Sequence, residues 1–294
     1  MSLENLLRED KFPKVIWIYW AQGFQNAPLL VKKVVESWKK CNPEWDVLLL
    51  DDKNINDFIK ISLKEENWNN MPMAHRADLI RLMLLEKYGG IWSDATVYCM
   101  KPLDCWIDEV MQEGFFAFYR PSNYRLISSW FLAAEKDNKI VKTWREAFES
   151  YYRDNRFIKH GFVYRRLNKI LGKVFNKKLE YTKYWLSPLV VKVLRVNPYF
   201  IIHYLFYDVV TKNDDLNDSW KRIRKIDANK LHKLKRYGMM KDIDKKDFLS
   251  FVDADVYMYK LDWKHNPDDY KENTLVRQFL YEEWECKCSE SDSD

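Results

Sequence analysis

Three chemically active side chains recur at intervals of three residues near the start of the segment Ala74–Thr96, AHRADLIRLMLLEKYGGIWSDAT. They are His75, Asp78 and Arg81, and apolar residues surround them. A helix that is apolar on all sides is buried. A charge in such a helix must pair with an opposite charge or meet a ligand, because an unpaired buried charge costs several kcal/mol. We therefore expect either an internal Asp78–Arg81 ion pair that fixes the packing or a ligand-binding site.

A further carboxylate, Asp94, follows this helix closely. The Gly-Gly pair after the helix supplies the positive φ that commonly ends one, and the short predicted strand Ile91–Ser93 leads directly into Asp94. In open α/β sheets, ligands bind beyond the carboxyl ends of the strands. The spacing therefore predicts that Asp78, Arg81 and Asp94 belong to one site.

The elements that must position these side chains follow a strand–helix–strand order. Val15–Trp20 and Val47–Leu50 have the composition of buried strands, and apolar residues in Pro28–Lys40 recur at helical spacing. Such a unit predicts a parallel sheet and the α/β class. Two more strands are predicted at Gly114–Tyr119 and Ser129–Ala134.

The segment RADLIRLMLLEKYGGIWSDAT resembles the donor-site block of the family 32 glycosyltransferases and the related capsular polysaccharide synthesis proteins. The shared pattern is Asp, two residues, Arg, then Gly-Gly, an aromatic residue and an acidic motif of the Asp-x-Asp type. FPKVIWIYWAQG, SSWFLAAEKDNKIV and VYMYKLDWK also resemble segments of this group. The resemblance implies a GT-A fold, which is a Rossmann-like mixed sheet flanked by helices. It also implies transfer of a hexose from a nucleotide sugar such as a UDP-sugar.

The resemblance further implies a role for each matching position. Trp20 would stack on the nucleobase beside Gln22. In the catalytic set, Asp78 and Arg81 would hold hydroxyls of the donor sugar, and Asp94 would serve the ribose and the metal bound to the diphosphate. With the candidates that the chain itself offers, we expect the donor-binding positions to be Trp20, Gln22, His75, Asp78, Arg81, Asp94, Thr96, Ser129, Lys260 and Lys264. The family also implies a retaining mechanism and, as acceptor, a growing polysaccharide or lipid-linked oligosaccharide.

The chain departs from the family pattern at the acidic motif, where Thr96 stands in place of the second Asp. Carboxylates prefer hard cations such as Mg²⁺ or Mn²⁺, and we expect such a cation to bind Asp94. The expected ligands are Asp94, Thr96 and a C-terminal group, His265 or Asp262. In the alternative, Lys260 and Lys264 stabilise the charge of the diphosphate without a metal.

A strongly basic stretch marks the second half of the chain. From Arg156 to Arg195, eleven Lys or Arg residues accompany one acid, Glu180, although the whole chain has a net charge of only +5. Aromatic residues are interspersed, a pattern typical of a surface that lies on anionic lipid or meets an anionic substrate. The alternative is a solvated helical face. The stretch lacks a recognised nucleic-acid-binding motif, so we expect no nucleic-acid partner.

The sequence suggests four segments. We predict a nucleotide-sugar-binding GT-A core over 1–155, a mostly helical, basic, acceptor- or membrane-proximal region over 156–250, a segment returning to the active site over 251–288, and a disordered tail over 289–294. The five cysteines are odd in number, and MSLENLLREDKFPK lacks the apolar core of a secretory signal. Both features favour free thiols in a reducing cytosol. We expect a cytoplasmic protein, peripheral at the inner face of the membrane.

Two alternative functions stay open. A sugar-nucleotidyltransferase has a related sheet but usually a Gly-rich phosphate loop, whereas YWAQGFQNAP contains one glycine. A non-catalytic component of a polysaccharide assembly complex, binding carbohydrate or a lipid carrier, would be consistent with Thr96. His203 and Asp208 are candidates to face the acceptor, although a lone histidine among aromatic residues is more often part of the core.

Overall fold

A mixed five-stranded sheet forms the centre of the fold. The computed structural model describes residues 10–158, 161–253, 255–265 and 269–288, so the predicted tail at 289–294 lies outside the described residues. In chain order the strands are β1 (Val15–Tyr19), β2 (Asp46–Leu50), β3 (Gly90–Ser93), β4 (Val97–Cys99), β5 (Phe115–Ser122), β6 (Arg125–Ala134) and β7 (Met258–Lys260). The large sheet has the order β2-β1-β3-β6-β5, and β4 pairs with β7 in a second sheet.

The pairing directions of the large sheet explain the composition of its strands. β1 runs parallel to β2 and β3, while β6 runs antiparallel to β3 and β5. All five residues of β1 are buried, as expected for a parallel strand covered on both faces. The prediction of a Rossmann-like mixed sheet flanked by helices is confirmed.

Helices cover the faces of the sheet and fill the second half of the chain. The α-helices are α1 (Leu29–Cys41), α2 (Ile55–Phe58), α3 (Glu65–Asn70), α4 (Met73–Tyr88), α5 (Ile107–Val110), α6 (Lys139–Arg153), α7 (Phe162–Phe175), α8 (Ile201–Lys212), α9 (Asp214–Arg222), α10 (Lys233–Tyr237), α11 (Lys245–Phe251) and α12 (Leu275–Tyr281). Three 3₁₀-helices (Leu103–Cys105, Leu179–Leu186, Lys230–His232) and a π-helix (Leu189–Leu194) accompany them. Within the described ranges, none of these helices combines the length and apolarity needed to cross a bilayer. The division into four predicted segments stays a prediction.

Helix α4 holds the candidate site, and two glycines set its end. It packs against α6 and against β1, β3 and β6. Gly89 ends the helix at φ 74°, and a Cβ there would lie 2.7 Å from the backbone nitrogen of Lys136. A Cβ on Gly90, at φ 89°, would lie 2.7 Å from the carbonyl oxygen of Val15. Only glycine fits both positions, and this tight approach leads the chain from α4 directly into β3.

Four of the five cysteines are paired, so the expectation of free thiols is wrong for these four. Cys41 in α1 is bonded to Cys286, and Cys105 to Cys288, with Cα–Cα distances of 5.1 and 5.4 Å. Cys99 is buried and free. Disulfide connectivity cannot be deduced from sequence alone. Because disulfides are typical of oxidising compartments, they do not support a cytoplasmic location, which stays a prediction.

We expect the Cys286→Ser/Cys288→Ser double substitution, which removes both disulfides, to lower the free energy of unfolding by at least the roughly 2–5 kcal/mol typical of losing one. The physical reason is that each crosslink closes a long loop, with sequence separations of 245 and 183 residues, and so restricts the unfolded chain. Melting temperatures measured with and without a reductant check this. The reductant should lower the melting temperature of the wild type and leave that of the double variant unchanged. An equal response of both proteins would mean that the thiols are unpaired.

Candidate functional site

A cleft of about 1040 Å³ opens at the carboxyl ends of β1 and β3. This is the edge of an α/β sheet at which ligands bind. Nine of the eleven predicted site residues line it: Trp20, Gln22, Asp78, Arg81, Asp94, Thr96, Ser129, Lys260 and Lys264. The expected convergence of α4 and the end of β3 on one cavity is therefore present in the structure.

Asp94 is the centre of an ion-pair network on the wall of this cleft. Its Oδ2 accepts a hydrogen bond from Nζ of Lys260 at 2.7 Å. Its Oδ1 accepts one from the indole N–H of Trp92 at 3.0 Å and lies 3.4 Å from Nη2 of Arg81. The Asp94 backbone N–H donates to the carbonyl of Trp130 at 2.8 Å. These contacts fix both oxygens of the carboxylate and the backbone from which it projects.

Arg81 links the polar face of α4 to Asp94. Its Nη2 lies 3.0 Å from Oδ1 of Asp78, its neighbour one helical turn earlier. Its Nη1 donates to the backbone carbonyl of Ser129 at 2.5 Å, and its guanidinium lies 5.0 Å from the centre of the Trp92 ring. The internal ion pair considered from the sequence therefore forms, and both of its members also line the cleft.

Lys260 reaches Asp94 from a distant part of the chain. β7 pairs with β4 so that Lys260 stands opposite Val97, one residue after Thr96. Its Nζ donates to Oγ1 of Thr96 at 2.6 Å as well as to Asp94. The ammonium group thus lies between the two side chains that were expected to share a divalent cation.

The residues around Asp94 fit a divalent cation poorly. In the part of the chain that the structure describes, no group of three or more His, Cys, Asp or Glu side chains is arranged to hold a metal ion. Of the two alternative C-terminal ligands, His265 is not among the residues lining the cleft, whereas Asp262 lines it and lies 3.6 Å from Lys235. Mg²⁺ and Mn²⁺ prefer several oxygen ligands, carboxylates above all. Here one carboxylate stands beside Thr96, and two cationic side chains already pair with it.

Burial and pairing set the charge states in this network. Burial opposes ionisation of Asp94, but Lys260 and Arg81 outweigh it and hold the pKa of this carboxyl below its usual value. Burial lowers the pKa of Lys260, although Asp94 acts in the opposite direction. Burial raises the pKa of Asp78 to about 7, because the attraction of Arg81 offsets only part of it. Asp94 is therefore ionised at neutral pH, while Asp78 titrates there.

Trp20 and Trp263 form an aromatic end of the cleft. Their ring centroids are 5.2 Å apart and the ring planes are nearly perpendicular, at 89°. Trp263 is 43% exposed, and the exposed residue Gln22 lines the cleft beside them. An accessible indole face can stack on a planar base or cover a sugar ring. The cleft therefore joins an aromatic end to a charged wall.

Several cleft residues were missed by the sequence analysis. Arg125, Lys235 and Arg236 line the cleft; Arg125 lies 4.4 Å from the ring of Phe200, and Lys235 lies 3.6 Å from Asp262. In total six cationic side chains and three carboxylates line it: Arg81, Arg125, Lys235, Arg236, Lys260, Lys264, Asp78, Asp94 and Asp262. The excess of positive charge suits an anionic ligand. The only sequence signal was the basic composition of KLHKLKRYG, which does not indicate a cleft.

The two remaining predicted residues lie outside the cleft lining. His75 is buried, and its Nδ1 bonds to the hydroxyl of Tyr152 while its Nε2 bonds to the carbonyl of Tyr199 at 2.9 Å. Both ring nitrogens are thus used in packing, and we no longer assign His75 to the donor. His265 likewise does not line the cleft.

Of the two residues predicted to face the acceptor, one lines the cleft and the other does not. His203 lines the cleft, and burial holds its pKa well below the usual value, which keeps the ring neutral. Asp208 is not part of the lining and pairs with Lys212 at 2.8 Å. Only His203 therefore stays available to an acceptor.

Residues 4–192 match a protein family described as capsular polysaccharide synthesis protein. The O-glycosyltransferase braB of Annulohypoxylon truncatum is 31% identical over 159 residues, 47% of this chain and 38% of that protein. Glycosyltransferase afumC of Aspergillus fumigatus is 28% identical over 162 residues, covering 49% and 41%. Inositol phosphoceramide mannosyltransferase 1 of Schizosaccharomyces pombe is 27% identical over 140 residues, covering 43% and 40%. The chain thus spans less than half the length of these relatives.

Two solved structures show a distant likeness to this chain. The PaToxG glycosyltransferase has 13% identity and a TM-score of 0.36, covering 72% of this chain and 75% of that one. The catalytic domain of alpha-toxin from Clostridium novyi has 9% identity and a TM-score of 0.37, covering 73% and 67%. At this level of similarity, individual residues of this chain cannot be matched to residues of those structures.

The raised pKa of Asp78 should make the protein less stable as the pH rises from about 4 to about 7. In this interval the folded state keeps a proton that the unfolded state has lost. The free energy of unfolding therefore falls by up to roughly 1.4 kcal/mol per pH unit from this group. Chemical denaturation of the wild type and of Asp78→Asn over this pH range checks the effect, because the substitution removes this contribution. Identical pH profiles would contradict the raised pKa.

Proposed function

Because the chain belongs to the capsular polysaccharide synthesis protein family, we propose that it is a hexosyltransferase. It transfers a hexose from a nucleoside diphosphate sugar, a UDP-sugar, to a growing polysaccharide or lipid-linked oligosaccharide. The names of its relatives, O-glycosyltransferase braB and glycosyltransferase afumC, support sugar transfer. The observation on which the proposal depends is the Asp94–Lys260–Arg81 network inside a cleft with a surplus of positive charge.

The donor binds along the cleft with its base at the aromatic end. Trp20 and Trp263 offer ring surfaces to the nucleobase, and Gln22 offers an amide for hydrogen bonding. The diphosphate lies toward Lys264 and Arg236, neither of which is paired with a carboxylate among the described residues. The hexose lies over α4, where Asp78 and Arg81 present hydrogen-bonding groups to its hydroxyls.

Lys260 supplies the positive charge that a divalent cation supplies in an Asp-x-Asp site. Replacing the second Asp by Thr96 removes one negative charge, and replacing a divalent ion by one ammonium removes one positive charge. The local balance is therefore the same. Two of the three ammonium hydrogens point to Asp94 and Thr96, with nitrogen–oxygen distances of 2.7 and 2.6 Å. The third is available to a phosphate oxygen. A lysine held in this way stabilises charge as a preorganised donor.

Transfer breaks the bond between the anomeric carbon and the diphosphate oxygen and forms a bond from that carbon to an acceptor hydroxyl. Negative charge grows on the leaving diphosphate, and Lys260 and Arg81 stabilise it. The acceptor hydroxyl attacks from the face that the diphosphate leaves, so the anomeric configuration is retained, and its proton passes to the leaving phosphate oxygen on that same face. Within the described residues, the carboxylates lining the cleft are Asp78, Asp94 and Asp262, and each pairs with a Lys or Arg. This arrangement favours the phosphate over a side chain as the base.

We expect one member of a panel of nucleotide sugars to raise the melting temperature, because a ligand that binds the folded state stabilises it by mass action. The same compound should be turned over, slowly to free sugar and faster with an acceptor glycan.

Asp94→Asn keeps the size of the side chain but removes its charge. It should reduce turnover by about 10²–10³-fold while the melting temperature without ligand stays within a few degrees.

The matched control is Asp218→Asn, which removes a carboxylate from an exposed ion pair with Lys221 and should keep full turnover. A panel without binding or turnover would favour the non-catalytic binding component. Release of pyrophosphate from a nucleoside triphosphate and a sugar phosphate would favour the nucleotidyltransferase.

Turnover by the wild type should persist in excess chelator, because Lys260 supplies the charge. Lys260→Ala should lose about 10²–10³-fold in turnover, and Lys260→Arg should keep part of it. In the double variant Thr96→Asp/Lys260→Ala, which creates an Asp-x-Asp motif, added Mn²⁺ should restore turnover. Initial rates with chelator and with Mn²⁺ measure all three effects. Loss of wild-type turnover in chelator, recovered with Mn²⁺, would contradict the role given to Lys260.

A further inference from the structure

The segment after α6 exposes an unusual number of apolar side chains. Thirteen large hydrophobic residues are prominently exposed in the described part of the chain, and eight of them fall between positions 162 and 193. They are Phe162, Val163, Ile170, Val174, Tyr181, Tyr184, Leu189 and Val193. Clustered exposure of this kind marks an interaction surface.

Helix α7 arranges these side chains in a stripe. Val163, Ile170 and Val174 are spaced by seven and four residues, so at 3.6 residues per turn they lie along one face. They are 64%, 51% and 51% exposed. Arg166 and Lys173 each lie three residues after a member of the stripe, are exposed, and flank it along the helix. The one buried residue of α7 is Tyr164, so α7 presents most of its surface to the surroundings.

The charges beside this stripe have one sign and are not neutralised. Between Phe162 and Arg195 the cationic residues are Arg165, Arg166, Lys169, Lys173, Lys177, Lys178, Lys183, Lys192 and Arg195, all exposed. None of the nine lies within ion-pair distance of a carboxylate in the described residues. Glu180 is the single acid of this stretch. Side chains that are both apolar and cationic suit the interface of an anionic bilayer, which offers hydrocarbon below a layer of phosphates.

This surface is anchored next to the cleft. The hydroxyl of Tyr164 in α7 donates a hydrogen bond to the carbonyl of Asn197. Two residues later, Tyr199 lines the cleft, is 63% exposed, and holds His75 of α4 through its carbonyl. The chain therefore runs from the basic, apolar surface into the wall of the cleft within a few residues.

We propose that α7, the 3₁₀-helix Leu179–Leu186 and the π-helix Leu189–Leu194 form a surface that docks on an anionic lipid bilayer. The exposed apolar side chains enter the interface, and the cationic ones meet lipid phosphates. Docking brings the cleft to an acceptor carried by the same membrane, a consequence that rests on the function proposed above.

Sedimentation with vesicles tests the docking with the full chain and without any sugar donor. The wild type should bind vesicles of phosphatidylcholine and phosphatidylglycerol, and bind phosphatidylcholine alone far more weakly. Arg166→Gln/Lys173→Gln/Lys177→Gln should bind about 100-fold more weakly, since each cation near an anionic surface contributes about fivefold. Ile170→Gln/Val174→Gln should bind at least about tenfold more weakly. Added salt should weaken wild-type binding, because exposed charges are screened.

The matched control is Lys241→Gln/Lys245→Gln/Lys246→Gln/Leu249→Gln, which removes three exposed cations and one exposed apolar side chain around α11 and should bind as the wild type does. Absence of wild-type binding, or equal loss in the control, would overturn the proposal. Binding that survives Ile170→Gln/Val174→Gln but is lost in the basic triple variant would also overturn it, because the surface would then recognise negative charge alone, which any polyanion offers, and not the bilayer interface. Binding of nucleotide sugars, measured without lipid, tests the proposed function separately.

Discussion

The negative charge of Asp94, partly buried and held between Lys260 and Arg81, is the interaction on which the candidate site depends. Arg81 comes from a helix enclosed by the sheet and by α6. Lys260 comes from strand β7 and lies 166 residues after Asp94 in the sequence. Both partners favour the ionised form of this carboxylate. The first sheet, helix α4 and the β4–β7 pair therefore meet at Asp94, and the last third of the chain is part of the same site.

The same network suggests, in the proposed enzyme, how Thr96 can stand where the related proteins have a second Asp. In the proposed enzyme each lost charge has a counterpart, so the net charge beside Asp94 is the same with Thr96 and Lys260 as with a second carboxylate and a divalent cation. An ammonium group bound to its own chain differs from a dissociable ion in one respect: its presence does not depend on the supply of metal. In the proposed enzyme, charge stabilisation is built into the fold.

The sequence predicts the local parts of this site well. Three charged residues at helical spacing, two glycines and a strand ending in Asp94 are consecutive features, and their geometry follows from helix and strand periods. The sequence does not predict which distant residues join this site. The position of Lys260 depends on which strand pairs with β4, and the cleft positions of Arg125 and Arg236 depend on tertiary packing. From the sequence, His75 was predicted to bind the donor. Its actual hydrogen-bond partners lie in α6 and in the loop before α8, which local sequence patterns do not reveal. The disulfide partners likewise depend on the folded path of the chain.

The two crosslinks have a topological consequence for the cleft. The bond between Cys41 and Cys286 closes a ring of main chain, and both Asp94 and Lys260 belong to that ring. A protease that cuts an exposed loop between them would leave two fragments still joined covalently. The lysine-bearing fragment would stay at a high effective concentration near its carboxylate. Nicked molecules could then keep their active-site pairing for as long as the cystine remains oxidised.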